Sequence, residues 1–308
     1  QNFPGDVQIR GTTFIKANTA TGNLAIGTDA GLTTQAQNTV AIGTSAGKTN
    51  QGPSAVAIGN QAGETEQEDG AVAVGVQAGE SSQDVNATAL GRQAGFNQQG
   101  NASVAIGYLA GCADQGTEAV AIGTSAGLNA QTDNSVAVGR LAGCAAQGSN
   151  AVAVGNSAGL NQQGASCVAI GVLAGCGDQG ASSVAVGNAA GKVSQGDYTV
   201  AVGLNAGSNN QNTYSVAVGS SAGYSAQEAN SIAIGNTAGR NAQGGDAVAV
   251  GRAAGYNLQG ANSVAVGYEA GCADQGASAT AVGYAAGKTS QGTQSVAVGK
   301  QAAQVSQG

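Results

Sequence analysis

The side chains that most often carry catalysis or bind metals are scarce in this sequence of 308 residues, which contains five Cys and no His. Four cysteines are separated from one another by multiples of sixteen residues: Cys112, Cys144, Cys176 and Cys272. Thiols could bind a metal or form disulfides, but neither a Cys-x-x-Cys pair nor a His completes such a site. The acidic residues form no pair that recurs at fixed spacing. We therefore expect no metal, no cofactor and no enzymatic activity, and we interpret the cysteines as small apolar residues.

The spacing of the cysteines reflects a sixteen-residue repeat that runs through most of the sequence. The phrase VAIGYLAGCADQG at Val104 returns as VAIGTSAGLNAQT at Val120, and eighteen copies begin between Leu24 and Val296. A fixed period of this kind is typical of a solenoid, in which each repeat stacks on its neighbours. Each register of the repeat is named below by its residue in the copy 40–55.

The repeat predicts β-strands rather than helices. Val40 and Ile42 flank Ala41, and β-branched residues in alternation favour a strand, whereas several glycines per repeat disfavour a helix. We expect an all-β fold, a parallel β-solenoid with sixteen residues per coil and about eighteen coils, over residues 21–308. Residues 1–20 differ, because Phe14 stands where later copies have Ala. We interpret them as an N-terminal capping or linking segment.

Glycine and alanine fill other registers of the repeat almost without exception. The Gly43 register, which includes Gly107, is Gly in all eighteen copies. This indicates a backbone conformation or a close approach that excludes a Cβ atom. The Ala46 register, which includes Ala110, is always Ala. We expect Ala46, Val40 and Ile42 to fill the interior of the coil.

The Gln51 register is Gln in all eighteen copies, among them Gln99, Gln163 and Gln259. In a stack these side chains form a column, and each amide could donate to the carbonyl of the next. They could instead bind backbone groups that a turn leaves unpaired. Either role explains why Glu never replaces Gln, since a column of carboxylates would repel itself.

The Ala41 register is expected to lie on the outer face of its strand, opposite Val40 and Ile42. A solvent-facing register should vary, yet Ala fills all eighteen copies, including Ala105 and Ala169. The sequence therefore predicts a close contact there, either with the same face of a sister chain, which we favour, or with a third wall of the same chain. A second contact is expected end to end, with Phe14 covering the last coil of the next subunit in a head-to-tail filament.

The strings SVAIG and SVAVG recur in phase with the repeat, for example at 103–107 and 135–139. They resemble the head repeats of YadA-like trimeric autotransporter adhesins and related repeats of phage and virus fibres, over about residues 20–308. The resemblance implies a left-handed β-roll, three chains side by side, and an exposed fibre used for attachment. The period of sixteen residues is longer than is usual in that family.

Charge and composition limit the partners and the location of the chain. The net charge of −7, with 9% charged residues, argues against nucleic acid, and no run of about 18 apolar residues predicts a membrane span. The sequence lacks Met and starts at Gln1, so we expect a processed, exported chain at an extracellular or particle surface. Asn86 and Asn101 begin N-glycosylation sequons.

Three functions are compatible with these features. The first is a structural protein of an extracellular fibre, assembled from identical chains. The alternative is an adhesin or receptor-binding fibre head, with surface glycans or a host receptor as partner. A lesser alternative is an ice-binding solenoid, which requires ordered rows of Thr.

Overall fold

A computed structural model describes residues 7–9, 12–18 and 20–307. This part of the chain is an all-β parallel β-solenoid of about 17 turns with roughly 16 residues per coil, and it contains no helix. The fold class and the period predicted from the sequence are therefore confirmed. Internal contacts divide the chain into two units, Gln1–Asn150 and Ala151–Gly308.

Most coils have two short strands joined by two turns. We call the sheet that contains registers 40–42 the first wall, and the sheet that contains registers 49–51 the second wall. Within each unit, strands one repeat apart pair in parallel and in register, as Val104 with Val120 and Ala105 with Ala121. The turns are bonded between coils as well: the N–H of Gly111 donates to the carbonyl of Ala126 at 2.9 Å. The backbone of most coils is thus satisfied by its neighbours.

In the unit Gln1–Asn150 the two walls contain eight strands each. The first-wall strands are Asn23–Ile26, Val40–Ile42, Val56–Ile58, Val72–Val74, Thr88–Leu90, Val104–Ile106, Val120–Ile122 and Val136–Val138. The second-wall strands are Thr33–Gln35, Thr49–Gln51, Thr65–Gln67, Ser81–Gln83, Asn97–Gln99, Ala113–Gln115, Asn129–Gln131 and Ala145–Gln147.

In the unit Ala151–Gly308 the first wall has ten strands and the second wall has eight. The first-wall strands are Val152–Val154, Val168–Ile170, Val184–Val186, Val200–Val202, Val216–Val218, Ile232–Ile234, Val248–Val250, Val264–Val266, Thr280–Val282 and Val296–Val298. The second-wall strands are Val193–Gln195, Asn209–Gln211, Ser225–Gln227, Asn241–Gln243, Asn257–Gln259, Ala273–Gln275, Thr289–Gln291 and Val305–Gln307. Isolated parallel bridges join Gln163 to Gln179 and Gln179 to Gln195.

A hairpin precedes the first coil. Its strands are β1 (Val7–Ile9) and β2 (Thr12–Asn18), which pair antiparallel. Strand β2 also pairs antiparallel with β3 (Asn23–Ile26), the first strand of the first wall. The edge of this wall is therefore hydrogen-bonded rather than open for another chain to join. The side chain of Phe14, for which we expect a contact with another subunit, lies outside the described residues.

The interior of the coil differs from the one predicted. Ala41 is fully buried, whereas Val40 and Ile42 are only half-buried on the opposite face of the strand. The prediction that Val40 and Ile42 fill the interior, and that Ala41, Ala105 and Ala169 lie outside, is therefore wrong. The alternation of faces is as expected, but its direction is reversed.

The reason for the reversal lies on the second wall. Gln51 is 1% exposed, so its long side chain occupies the space between the walls. Only small side chains fit opposite it, and Ala41 and Ala46, both fully buried, meet that requirement. The contact that keeps the Ala41 register small is therefore within one chain, with the second wall, and no sister chain is needed to explain it.

A fourth buried register was not recognised in the sequence. From Thr39 to Ala279 the Ala55 register holds Ala, Ser, Thr or Cys and is fully buried, as at Ser103. The Ser103 Oγ donates to the carbonyl oxygen of Gly100 at 2.7 Å. The Ser of the SVAIG string thus donates a hydrogen bond to the backbone of the second turn from inside the coil.

The turns depend on backbone conformations that L-residues seldom adopt. Left-handed φ angles occur in the two turns at Ser45 (54°) and Ser54 (58°), and also at Asn50 (53°) in the middle of the second-wall strand. The same registers are left-handed in most coils. Gly43 has a φ of 129°, and a Cβ atom on it would lie 2.4 Å from the carbonyl oxygen of Gly59. Both the conformation and the close approach of the next coil therefore require glycine in this register.

This constraint can be tested with two glycines in neighbouring turns. Gly251→Ala would place a Cβ atom 2.5 Å from the Gly267 carbonyl oxygen, at a φ of 128°. Because that oxygen belongs to hydrogen-bonded backbone, we expect destabilisation of at least about 2 kcal/mol. The matched control is Gly245→Ala, whose Cβ atom would lie 3.5 Å from its nearest neighbour. Thermal melting followed by circular dichroism checks both variants, and equal melting temperatures would contradict the assignment.

Candidate functional sites

The column of buried glutamines is the most regular polar feature of the interior. The Gln67 Nε2 donates to the Val56 carbonyl at 2.9 Å, to the Ala71 carbonyl at 3.2 Å, and to the Gln83 Oε1 at 3.1 Å. Both roles considered from the sequence, a ladder between amides and a bond to the turns, are therefore present in one side chain. One amide group links the first wall, the second turn and the next coil.

The ladder is segmented, whereas the bond to the first wall is constant. Amide-to-amide bonds connect the glutamines from Gln35 to Gln99 without a break, at 3.0–3.1 Å. The Oε1 atoms of Gln115, Gln195 and Gln275 accept no hydrogen bond. The bond from Nε2 to the carbonyl of the residue eleven positions earlier nevertheless persists there, as between Gln259 and Val248 at 2.8 Å and between Gln163 and Val152 at 3.1 Å. The hydrogen bond from Nε2 to the first wall is therefore the contact that this register makes in every coil from Gln51 to Gln291.

The Gly47 register makes room for the glutamine. Gly79 has a φ of 52°, and a Cβ atom on it would lie 2.8 Å from the Gln83 Oε1 and 3.3 Å from the Ala73 Cβ. The Gly47, Ala41 and Gln51 registers therefore meet inside the coil. The sequence shows that each of them is constrained, but the contact among them becomes visible only in the structure.

The outer face of the first wall carries an apolar surface. We call the Val40 and Ile42 registers together the Val–Ile ribbon. In every coil the ribbon presents two side chains, nearly all Val, Ile or Leu, and these are half-buried or exposed; Ile122 is 37% exposed and Leu90 is 46% exposed. Contiguous apolar surface of this kind is unusual on a soluble monomer and commonly marks an interaction site.

Aromatic side chains gather in the second unit, in three groups. Tyr198 and Tyr214 stack in parallel with ring centroids 5.1 Å apart, and Tyr268 and Tyr284 stack at the same distance. In the third group, the Arg240 guanidinium lies between the rings of Tyr224 and Tyr256, 5.5 Å from each centroid. The three groups occupy three different registers of the repeat, and within each group the side chains contact one another between successive coils.

The cysteines show no sign of a reactive centre. Burial raises the pKa of Cys112, Cys144, Cys176 and Cys272 above the usual thiol value, which favours the unreactive thiol form. Cys167 is buried in the Ala55 register, and its thiol donates to the Gly180 carbonyl. Among the described residues no group of three or more His, Cys, Asp or Glu side chains could hold a metal ion.

Charged side chains form two ion pairs among the described residues. Lys48 lies 3.2 Å from Glu64, and Lys288 lies 2.7 Å from Glu269. The hydrogen bond from Lys288 lowers the pKa of Glu269, whereas burial raises the pKa of Glu80, with nearby Glu64 adding to the shift. Exposed pairs of this type contribute little to the free energy of unfolding, because water screens the two charges.

The threonines and the sequons occupy separate places on the surface. Thr33, Thr49 and Thr65 align in three successive coils, but the hydroxyls of Thr33 and Thr65 donate to backbone carbonyls of the next coil. This row stops at Ser81 and does not form the extended Thr array that ice binding requires. Asn86 and Asn101 are both exposed.

No protein-family model matches the chain, and no curated protein matches it either. Its resemblance to YadA-like repeats therefore remains a prediction from the residues. Within the described residues, no helix has the length and apolar character needed to cross a membrane.

The role of the glutamine column can be tested at Gln163, which is 3% exposed. Gln163→Glu removes the amide donors and places a carboxylate between the walls, which should cost several kcal/mol at neutral pH. The control is Gln162→Glu, one position earlier on the exposed surface, where we expect a change within about 0.5 kcal/mol. Melting temperatures of the two variants provide the comparison.

The same pair of variants gives a pH test with a defined sign. Burial raises the pKa of a carboxyl group in the folded state above its unfolded value. The folded Gln163→Glu variant then binds the proton more tightly than the unfolded chain, so its stability should fall as the pH rises above the unfolded pKa of about 4.3 and improve on acidification. If the Gln163→Glu and Gln162→Glu variants melted alike at every pH, the register would have no structural role.

Proposed function

We propose that the chain is a structural protein of a fibre, in which identical chains associate side by side through the Val–Ile ribbon. The observation that carries this proposal is the outward direction of Val40 and Ile42, whose place inside the coil is taken by Ala41 and Gln51. The ribbon therefore replaces the Ala41 register as the candidate surface for self-association.

The regularity of the ribbon favours a second copy of the chain as the partner. Coils in a parallel stack follow one another at about 4.8 Å, and each adds the same pair of apolar side chains. A partner that covers this face along its length must present matching side chains at the same spacing. A sister chain meets this requirement because it has the same period, and association of ribbon with ribbon would remove both apolar faces from water.

The extent of the ribbon supports a stable contact. It comprises sixteen side chains in the first-wall strands of the unit Gln1–Asn150 and twenty in those of Ala151–Gly308. Within the first unit Thr88 is the one polar member. Standard protein–protein interfaces use about 20–30 residues on each side. The ribbon of one unit is thus close to a typical interface in residue number and more apolar in composition.

The location follows from the same proposal. A fibre of this kind belongs at an extracellular or particle surface, and the polar Gln, Asn, Ser and Thr of the turns would face the solvent there. Side-by-side chains are also what the resemblance to YadA-like head repeats implies, with three chains per fibre. A head-to-tail contact through residues 1–20 would lengthen such a fibre.

The second candidate is an adhesin or receptor-binding fibre head. It is favoured by the aromatic groups of the unit Ala151–Gly308, which contact one another between successive coils. Tyr198 and Tyr214 have φ angles of 56° and 58°, and they are 54% and 60% exposed. Bulky residues in this strained conformation, with exposed rings, suit a binding surface better than they suit stability.

The fibre proposal predicts that the ribbon controls assembly. In the variant Val120→Lys with Ile122→Lys, two charges stand on the outer face of the first wall, where folding leaves them in contact with water. We expect the coil to fold and the assembled species to dissociate, because the charges would have to be buried between chains. Analytical ultracentrifugation measures the assembled mass, and circular dichroism checks the fold.

The matched control is Asn129→Lys with Ala130→Lys, which places two charges on exposed residues of the second wall in the same coil. This variant should keep the assembled mass of the parent chain. The proposal would be wrong if the parent chain sedimented as a monomer at millimolar concentration, or if both double variants assembled equally well.

A further inference from the structure

The coils between residues 216 and 263 carry a group of side chains that the repeat does not explain. Tyr224, Arg240 and Tyr256 occupy one register in three successive coils, and we call them the clamp. The next register holds Ser225, Asn241 and Asn257, and the one after it holds Ala226, Ala242 and Leu258. Asn also fills the second of these registers at Asn129 and Asn209, and Ala fills the third at Ala130, so the residues particular to these coils are the clamp and Leu258.

The clamp holds a guanidinium group in a fixed plane. Its two rings lie 5.5 Å from the Arg240 Cζ, and the Arg240 Nη1 donates to the Tyr256 Oη at 2.6 Å. Neither Nε nor Nη2 donates to any described residue, and Nε is buried without a partner. Cation–π contacts orient the group without using its in-plane donors. Arg240 is thus immobilised, and because Nε is buried, Nη2 and the second hydrogen of Nη1 are the donors left for an anion.

The charge around the clamp favours an anionic ligand. Between residues 216 and 263 the cations are Arg240 and Arg252, both in the first turn. The acidic residues of this segment, Glu228 and Asp246, lie in the second turn. The Glu228 Oε2 accepts a hydrogen bond from the Gly245 N–H at 2.9 Å. The clamp therefore has no carboxylate partner of its own, unlike Lys288, which is paired with Glu269.

The neighbouring register offers groups that bind hydroxyls. The Asn241 Nδ2 donates to the Asn257 Oδ1 at 2.7 Å, which leaves the Asn241 Oδ1 as an acceptor and the Asn257 Nδ2 as a donor. Beyond them lies a shallow groove of about 390 Å³, lined by Ala226, Ala242, Leu258 and residues of the second turn that include Glu228. Its volume falls within the range of about 300–1,000 Å³ that is usual for small-molecule sites.

We propose that the clamp and the adjoining amides form a binding site for a carboxylate-bearing sugar unit of an acidic polysaccharide. The Arg240 fork would bind the carboxylate, the amides of Asn241 and Asn257 would bind hydroxyls, and the sugar would lie along the groove beside Leu258. A ligand with one carboxylate and several hydroxyls on a saturated ring, whose C–H face is apolar, matches this combination of donors, acceptors and apolar surface. The inference rests on the second candidate function, and it holds whether or not the chains associate through the Val–Ile ribbon.

A binding experiment with the full chain tests the proposal. The probe is a fluorescently labelled oligogalacturonide, which has a carboxylate on every sugar, and the comparison probes are dextran oligomers and polyglutamate of similar length. We expect the oligogalacturonide to bind, and Arg240→Lys to weaken it at least about tenfold because the planar fork is lost while the charge is kept. Arg92→Lys is the matched control, since Arg92 lies over one ring, that of Tyr108, at 5.6 Å. It should leave the affinity unchanged.

Any other result would contradict the proposed sugar-binding site. Absence of oligogalacturonide binding at millimolar concentration would do so, as would an affinity that Arg240→Lys leaves unchanged. Equal affinity for polyglutamate would show a carboxylate site without selectivity for sugar, and equal affinity for dextran would show that the carboxylate is irrelevant. Ultracentrifugation of the same samples separates this test from that of the fibre, because the Arg240→Lys variant should assemble normally while the double lysine variant of the ribbon should retain oligogalacturonide binding.

Discussion

The shape of each coil depends on one buried hydrogen-bonding group, the side-chain amide of the Gln51 register. This amide bonds to the first wall in every coil from Gln51 to Gln291, and its bulk sets the distance between the walls. Glycine at Gly47 clears the space that it occupies, and Ala41 faces it with the smallest side chain that still excludes water. The Nε2 donor at the centre of the coil is bonded throughout, even where the Oε1 atom accepts no hydrogen bond. Loss of the Nε2 bonds would leave a buried donor unsatisfied, which costs about 1–3 kcal/mol in each coil.

Burial of glutamine has a second effect, on the outer surface. Because Gln51 occupies the interior, the β-branched residues of the first wall have nowhere to pack within the chain and face outward. The same geometry thus creates a narrow core and leaves an apolar face on the surface. In the fibre that we propose, the stability of the coil and the association of chains are two consequences of the same buried glutamine.

Most of the architecture is predictable from the sequence, because the period of sixteen residues is unbroken and glycine, alanine and glutamine recur in phase with it. The direction of the first wall was not predictable by the usual rule that larger apolar residues lie inside. That rule fails here because Gln51 competes with Val40 and Ile42 for the interior, and its amide nitrogen is satisfied there by bonds to the Val40 and Ala55 carbonyls. The clamp was also not recognised in the sequence. The sequence places Tyr224, Arg240 and Tyr256 sixteen residues apart, but the contacts of the guanidinium with the two rings are seen only in the structure.

The backbone bonds between coils always join residues 15 or 17 positions apart, as Val40 to Ala55 and Gly59 to Ile42. Removal of sixteen successive residues within one unit would therefore bring together two ends that form the same bonds again. The number of coils is consequently not fixed by the backbone bonds, and a unit one coil shorter or longer would form them equally well. Side-chain contacts that span particular coils are different: those of Arg240 with Tyr224 and Tyr256 would be lost if one of their three coils were removed.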